Sequence, residues 1–166
     1  MSDTTSPSGF HCGFYEVHLP VTDLGRSLDF YRKLGFRLGF GSAHDPGALL
    51  LYERGGSRWM LGLFVVDEIS HRHPAESHVA LRVAEEQVDE MISYLRKRGI
   101  QPVHPEGSPI EGPMCEPIVH GWMPAAAVFF RDPDGHLLEL IADLSDDPRP
   151  DALYMPLSEW KRTLSN

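Results

Sequence analysis

The hydrophobic periods of this chain run through one order twice. Residues 14–19 alternate, with Tyr15, Val17 and Leu19 on one face and Phe14, Glu16 and His18 on the other, which is the pattern of a half-buried strand. Leu24, Leu28, Tyr31 and Leu34 follow at helical spacing behind a cap at Thr22 or Asp23, and Gly35 closes the helix. Strands are expected at 36–40, 48–53 and 58–65, with Gly55-Gly56 as the turn between the last two. The series then restarts. Residues 77–83 alternate, 85–98 form an amphipathic helix with Val88, Met91, Ile92 and Leu95 inward, Gly99 ends it, and strands follow at 100–103, 125–130 and 137–141. The pattern predicts an α+β fold of two tandem βαβββ modules, 13–66 and 77–142, joined by a polar linker at 67–76. A tail at 1–12 precedes them. An acidic, Pro-rich segment at 143–166 follows, ending in a short helix capped by Ser158 and docked through Trp160. Duplication matters because equivalent residues of two such modules converge on a shared axis.

Composition narrows the partners. The 166 residues are 42% hydrophobic, enough for a core, yet no apolar run approaches the roughly 20 residues of a membrane span. The N-terminal residues are Ser, Thr, Asp, Pro and Gly with no signal-peptide pattern, and Cys12 and Cys115 make no disulfide framework, so a cytoplasmic protein is expected. A net charge of −9 argues against nucleic acid or anionic membrane as partner. Arg96-Lys97-Arg98 sits where a helix end would be and complements its dipole.

One residue breaks the apolar pattern. Strand 137–141 follows the turn Asp132-Pro133-Asp134-Gly135 and is hydrophobic except for Glu139. A carboxylate inside a buried strand is costly unless a cation or hydrogen bonds meet it. His18 and His78 hold the same place in the first strand of each module, 60 residues apart. Two imidazoles and one carboxylate are the donor set of a divalent Fe, Mn, Zn, Ni or Co site with positions open to substrate or water. The other histidines lie in the tail or in loops, except that His136 faces away from Glu139 by alternation. His120, beside Trp122 in the long Pro- and Gly-rich loop 104–124, is a further candidate.

His18 followed by Val21-x-Asp23-Leu24-x-x-Ser27-x-x-Phe30-Tyr31-x-x-Leu34-Gly35-Phe36, and later Phe130-x-Asp132-Pro133-Asp134-Gly135-His136-x-x-Glu139, closely resembles the vicinal-oxygen-chelate superfamily. That group includes glyoxalase I, fosfomycin-resistance thiol transferases, bleomycin-resistance proteins, methylmalonyl-CoA epimerase and extradiol ring-cleaving dioxygenases. The resemblance spans about residues 13 to 142. It implies a cupped mixed sheet around a central site, helices outside, and a divalent metal chelated by two adjacent substrate oxygens. It also implies His18, His78 and Glu139 as ligands, and a homodimer whose site draws on one chain or two. Glyoxalase I-like members carry a fourth ligand, usually Glu, on the last strand of the first module. Here that strand offers Arg58, Met60, Gly62 and Phe64 on one face and Trp59, Leu61 and Leu63 on the other, with no acid on either. Glu111 or Glu116 in the long loop are the substitutes in reach of sequence reasoning. A three-ligand site resembles the fosfomycin-type transferases, which polarise an oxygen for attack by thiol or water. It equally resembles the extradiol dioxygenases, in which a His and a Tyr beside the metal move protons; His120 with Tyr52 or Tyr154 would serve here. The reading is thus a metalloenzyme acting on a small molecule, with Glu139 and His120 catalytic. The alternative is a bleomycin-resistance-type sequestering dimer with an aromatic groove of Trp59, Phe64 and Trp122.

Overall fold

The computed structural model describes residues 16–54, 57–67, 77–105, 108, 110–152 and 154–164. The expected tail at 1–12, the Gly55-Gly56 turn and residues 68–76 of the expected linker lie outside these. The chain divides into two compact units, Met1–Asp67 and Glu68–Asn166. The fold is α+β, as expected, with one sheet in each unit and the helices lying outside the sheets.

The first unit contains β1 (Glu16–Val21), α1 (Leu24–Lys33), β2 (Arg37–Phe40), β3 (Gly47–Arg54) and β4 (Ser57–Val65), with sheet order β1-β4-β3-β2. β1 runs parallel to β4, and the other pairs are antiparallel. Asp23 is the cap of α1, its carboxylate accepting the Arg26 N–H at 2.9 Å. Leu19, Val21, Ala48, Leu50, Leu61 and Leu63 fill one face of the sheet and are buried together with Leu24, Leu28 and Tyr31 of the helix. Val17 shares their parity but is exposed, because it stands at the start of β1, before the buried stretch of the strand begins.

The second unit contains β5 (His78–Arg82), a 3₁₀ turn (Glu85–Glu90) leading into α2 (Met91–Arg96), β6 (Pro102–Val103), β7 (Ile118–His120), β8 (Ala125–Arg131), β9 (Leu137–Asp143), β10 (Met155–Pro156) and α3 (Leu157–Leu164). The main sheet order is β10-β7-β8-β9-β5, and β6 also pairs with β8. Sequence periodicity predicts one helix over 85–98; its first half is instead wound as a 3₁₀ helix, the tighter form common at helix starts. The loop 104–124 holds β7, which no period in the sequence marks. Its three residues gain their place by pairing with β8 on one side and β10 on the other. Among the described residues no helix is long and apolar enough to cross a membrane.

Both modules end their first helix in the same way. Gly35 (φ +96°) and Gly99 (φ +72°) donate to the carbonyls of Arg32 and Arg96, and Phe36 and Ile100 reach back to Tyr31 and Leu95 at 3.1 and 3.0 Å. A Cβ on Gly99 would touch nothing, so Gly99→Ala isolates the conformational term. We expect it to destabilise the protein by about 1 kcal/mol, and Gly99→Asn by less, in urea unfolding. An unchanged midpoint for Gly99→Ala would contradict the assignment of this cap.

Candidate active site

The hairpin joining β8 to β9 fixes the register of the second sheet. Asp132 is buried, and its Oδ1 accepts the N–H groups of Asp134 and His136 at 3.0 and 2.9 Å, while Gly135 (φ +89°) closes the turn. This sets Phe129 opposite Glu139 and Phe130 opposite Leu138. One side of the sheet is then apolar: Leu138, Leu140, Ala142, Val128, Phe130, Ala126 and Val119 are buried, as are Val88, Met91, Ile92 and Leu95 of the helical segment. The other side carries His78, Ala80, Glu139, Phe129, Ala127, Ala125 and His120. Fully buried His136 has the opposite parity to Glu139, as the alternation predicts.

On this second side Glu139 is 7% exposed by side chain, and His78 is 40% exposed. The His78 Nε2 lies 3.0 Å from the Glu139 Oε2. An ionised carboxylate only accepts, so the imidazole donates. His120, on β7, packs edge-on against Phe129 (6.5 Å between ring centres) and against Tyr154 (5.3 Å). Burial lowers the His120 pKa, partly opposed by the charge of Glu139. Burial pushes Tyr154 up to about 12. The Ser108 hydroxyl beside it works the other way, and the Glu139 charge adds to the rise. The Tyr154 hydroxyl is buried and lies outside ordinary hydrogen-bond geometry with Ser108. His78, Glu139, His120 and Tyr154 therefore form one local environment drawn from β5, β9, β7 and the turn before β10. Tyr52 packs against Phe36 in the first unit, with ring centres 5.2 Å apart and planes tilted at 47°.

In the first unit His18 sits on the side of the sheet away from the buried face, level with Gly62. A Cβ at residue 62 would come within 2.5 Å of the His18 ring and 2.8 Å of Phe64, so only glycine leaves room for these two rings. His18 and Phe64 lie 4.8 Å apart at 50°. The registers of the two units can be compared directly. His78 is level with Leu137 and meets the side chain two residues further along, Glu139; His18 is level with Gly62, and two residues further along stands Phe64. An aromatic ring thus takes the place that an acid holds in the second unit. Trp59 and Phe64 have opposite parity on β4, so they face opposite sides of the sheet and cannot line one wall there. Trp122 is exposed in the turn between β7 and β8.

The loop acids do other work. Both oxygens of Glu116 are taken by Ser158, from the backbone N–H at 2.7 Å and the hydroxyl at 3.0 Å, so Glu116 caps α3 where sequence reasoning expects Ser158 alone. Glu111 is exposed. Among the described residues no group of three His, Cys, Asp or Glu side chains gathers as a metal-holding cluster; the pair brought together is His78 with Glu139, and His18 belongs to the first unit. That pair fits a divalent cation. Donor atoms bound at about 2.1 Å and at right angles lie about 3 Å apart, and an imidazole and a carboxylate are the donors such ions take.

Fosfomycin resistance protein FosX of Listeria monocytogenes is 26% identical over 130 residues, covering 78% of this chain and 89% of that protein. Two solved structures give the same fold. An integron cassette protein from the mobile metagenome of the Halifax Harbour sewage outfall aligns with a TM-score of 0.59 at 26% identity, over 78% of this chain and 97% of the other. A variant of FosX complexed with Mn(II) and 1S,2S-dihydroxypropylphosphonic acid aligns with a TM-score of 0.56 at 21% identity, over 82% and 94%. The family model of the glyoxalase/bleomycin resistance protein/dioxygenase superfamily matches residues 11–140. The chain with these two sheets and this His–Glu pair is a member of that superfamily.

Proposed function

We propose that this protein is a metal-dependent enzyme that adds water or a thiol to a small substrate holding two neighbouring oxygens. The observation that carries the reading is the His78–Glu139 contact: a nearly buried carboxylate whose hydrogen-bonding partner among the described side chains is a potential metal ligand. In this reading His18, His78 and Glu139 hold a divalent Fe, Mn, Zn, Ni or Co ion, and the chain works as a homodimer. Such an ion supplies Lewis acidity, polarising a substrate oxygen. The chain's own residues do the rest. His120, neutral near pH 7, accepts the proton of the incoming nucleophile. Tyr154 keeps its proton and donates a hydrogen bond to the oxygen that gains charge. The substrate class follows the FosX complex, whose ligand is a small phosphonic acid with adjacent hydroxyls. The exposed rings of Phe64 and Trp122 favour the sequestering alternative, but that function has no use for a buried carboxylate facing an imidazole.

Three measurements test this. Metal analysis after reconstitution of untagged protein should give about one equivalent for wild type and below about a tenth for His78→Ala and Glu139→Gln. Wild type below a tenth removes the metalloenzyme reading. Mn(II)-loaded protein should consume fosfomycin with water or a thiol such as glutathione or cysteine, followed by phosphorus NMR. His120→Ala should lower kcat by at least about 100-fold; no consumption with any nucleophile contradicts the proposed substrate class. Ultraviolet titration should find Tyr154 un-ionised until about pH 12, so wild type and Tyr154→Phe should match below about pH 11. Because the folded pKa lies above the unfolded value of about 10, the contribution of Tyr154 to stability is complete below pH 10 and lost as pH rises to about 12.

A further inference from the structure

We propose that Trp160 is the positioning residue of the His120–Tyr154 pair, holding the strap that carries Tyr154 against the strand that carries His120. This rests on the reading that these two side chains handle the proton and the developing charge. The strap is residues 144–152 and 154–164, beyond residues 11–140 of the superfamily match. Its own pairing with the sheet is slight. β10 is two residues long, joins β7 through Met155 and Pro156, and Pro156 has no N–H to give. So short a strand does not hold itself on a sheet edge. Yet Tyr154, immediately before it, stands with its ring centre 5.3 Å from that of His120.

The anchor is at Gly121, the residue after His120. Its N–H donates to the Ala152 carbonyl at 2.8 Å, and its own carbonyl accepts the Arg149 N–H at 2.7 Å, so the strap takes both of its backbone polar groups. A Cβ on Gly121 would run into the Ala152 carbonyl oxygen and come within 3.0 Å of the Trp160 ring. Gly121, Ala152 and Trp160 therefore meet at one point, beside His120 in one segment and two residues before Tyr154 in the other. Trp160 is fully buried, and its indole Nε1 donates to the Asp146 Oδ2 at 2.7 Å. That bond ties α3 to the beginning of the strap, and the Arg149 guanidinium lies 5.2 Å from the centre of the same ring. Glu116 holds the start of α3. The competing explanation is that Trp160 only fills core volume, and that the pair keeps its geometry without it.

Proton NMR of the metal-free protein, read with the kinetics of the Mn(II)-loaded enzyme, separates these. Wild type should show a nuclear Overhauser effect between the His120 and Tyr154 rings. So should Asp146→Asn, which keeps an oxygen for the indole N–H, and Lys161→Ala, which removes an exposed contact of α3 with Asp89. Trp160→Phe and Asp146→Ala are measured at a temperature where circular dichroism shows them folded. In both the effect should be lost, and kcat should fall at least about ten-fold with KM within about two-fold. Should Trp160→Phe fail to fold, Asp146→Ala, at a partly buried position, carries the test alone. An unchanged Overhauser effect in the folded variants overturns the inference, as does its absence in wild type or its loss with kcat unchanged. Wild type that turns over no substrate removes the proposed function, and the Overhauser effect then decides whether Trp160 holds the pair.

Discussion

A carboxylate on β9, between β8 and the edge strand β5, is the constraint to which the second unit conforms. Glu139 is flanked in its strand by buried Leu138 and Leu140, and Phe129 lies directly across on β8. Leaving such a group without a partner costs on the order of 1–3 kcal/mol or more. The structure meets it with one imidazole nitrogen, from the strand running parallel on the other side. Its neighbours on that side of the sheet are small, Ala80 on β5 with Ala125 and Ala127 on β8. On the opposite side the strands are apolar, as is the buried face of the helical segment with Val88, Met91, Ile92 and Leu95. One sheet therefore has a stability face and a chemical face.

The first unit also has one buried sheet face and one more exposed, but different side chains stand on the exposed one. Gly62 gives up its side chain to seat the His18 ring, and Phe64 takes the register position at which the second unit carries its acid. The two units share their strand-helix order, down to the matched helix ends at Gly35 and Gly99, while the side chains on the faces of His18 and His78 differ. In the second unit, burial keeps His120 ready to accept a proton and Tyr154 unwilling to lose one. Two neutral groups of opposite proton habit beside one carboxylate suit the attack of a nucleophile on a carbon bonded to a polarised oxygen, where the C–O electron pair moves onto that oxygen.

Much of this was legible in the residues. Alternation marked β1 and β5, and an apolar run broken by Glu139 marked β9; Thr22 or Asp23, Gly35 and Gly99 marked helix ends; Asp132 to Gly135 marked the hairpin. The misses have a common cause, since each depends on partners distant in sequence. β7 and β10 are three and two residues long and exist through pairing with each other and with β8. The cap on α3 comes from Glu116, 42 residues before Ser158. His120 meets Tyr154 because β10 pairs with β7, which no local period could report.

On the proposed function, the His78–Glu139 pair is half of a metal site and not a self-sufficient hydrogen bond. A crystal grown with Mn(II), with anomalous differences collected at the manganese edge, tests it directly. The expected result is one strong peak within about 2.3 Å of both the His78 Nε2 and a Glu139 oxygen, with the imidazole N–H bond to the carboxylate gone. A map with the hydrogen bond intact and manganese absent from that position, or bound only to surface acids, contradicts it.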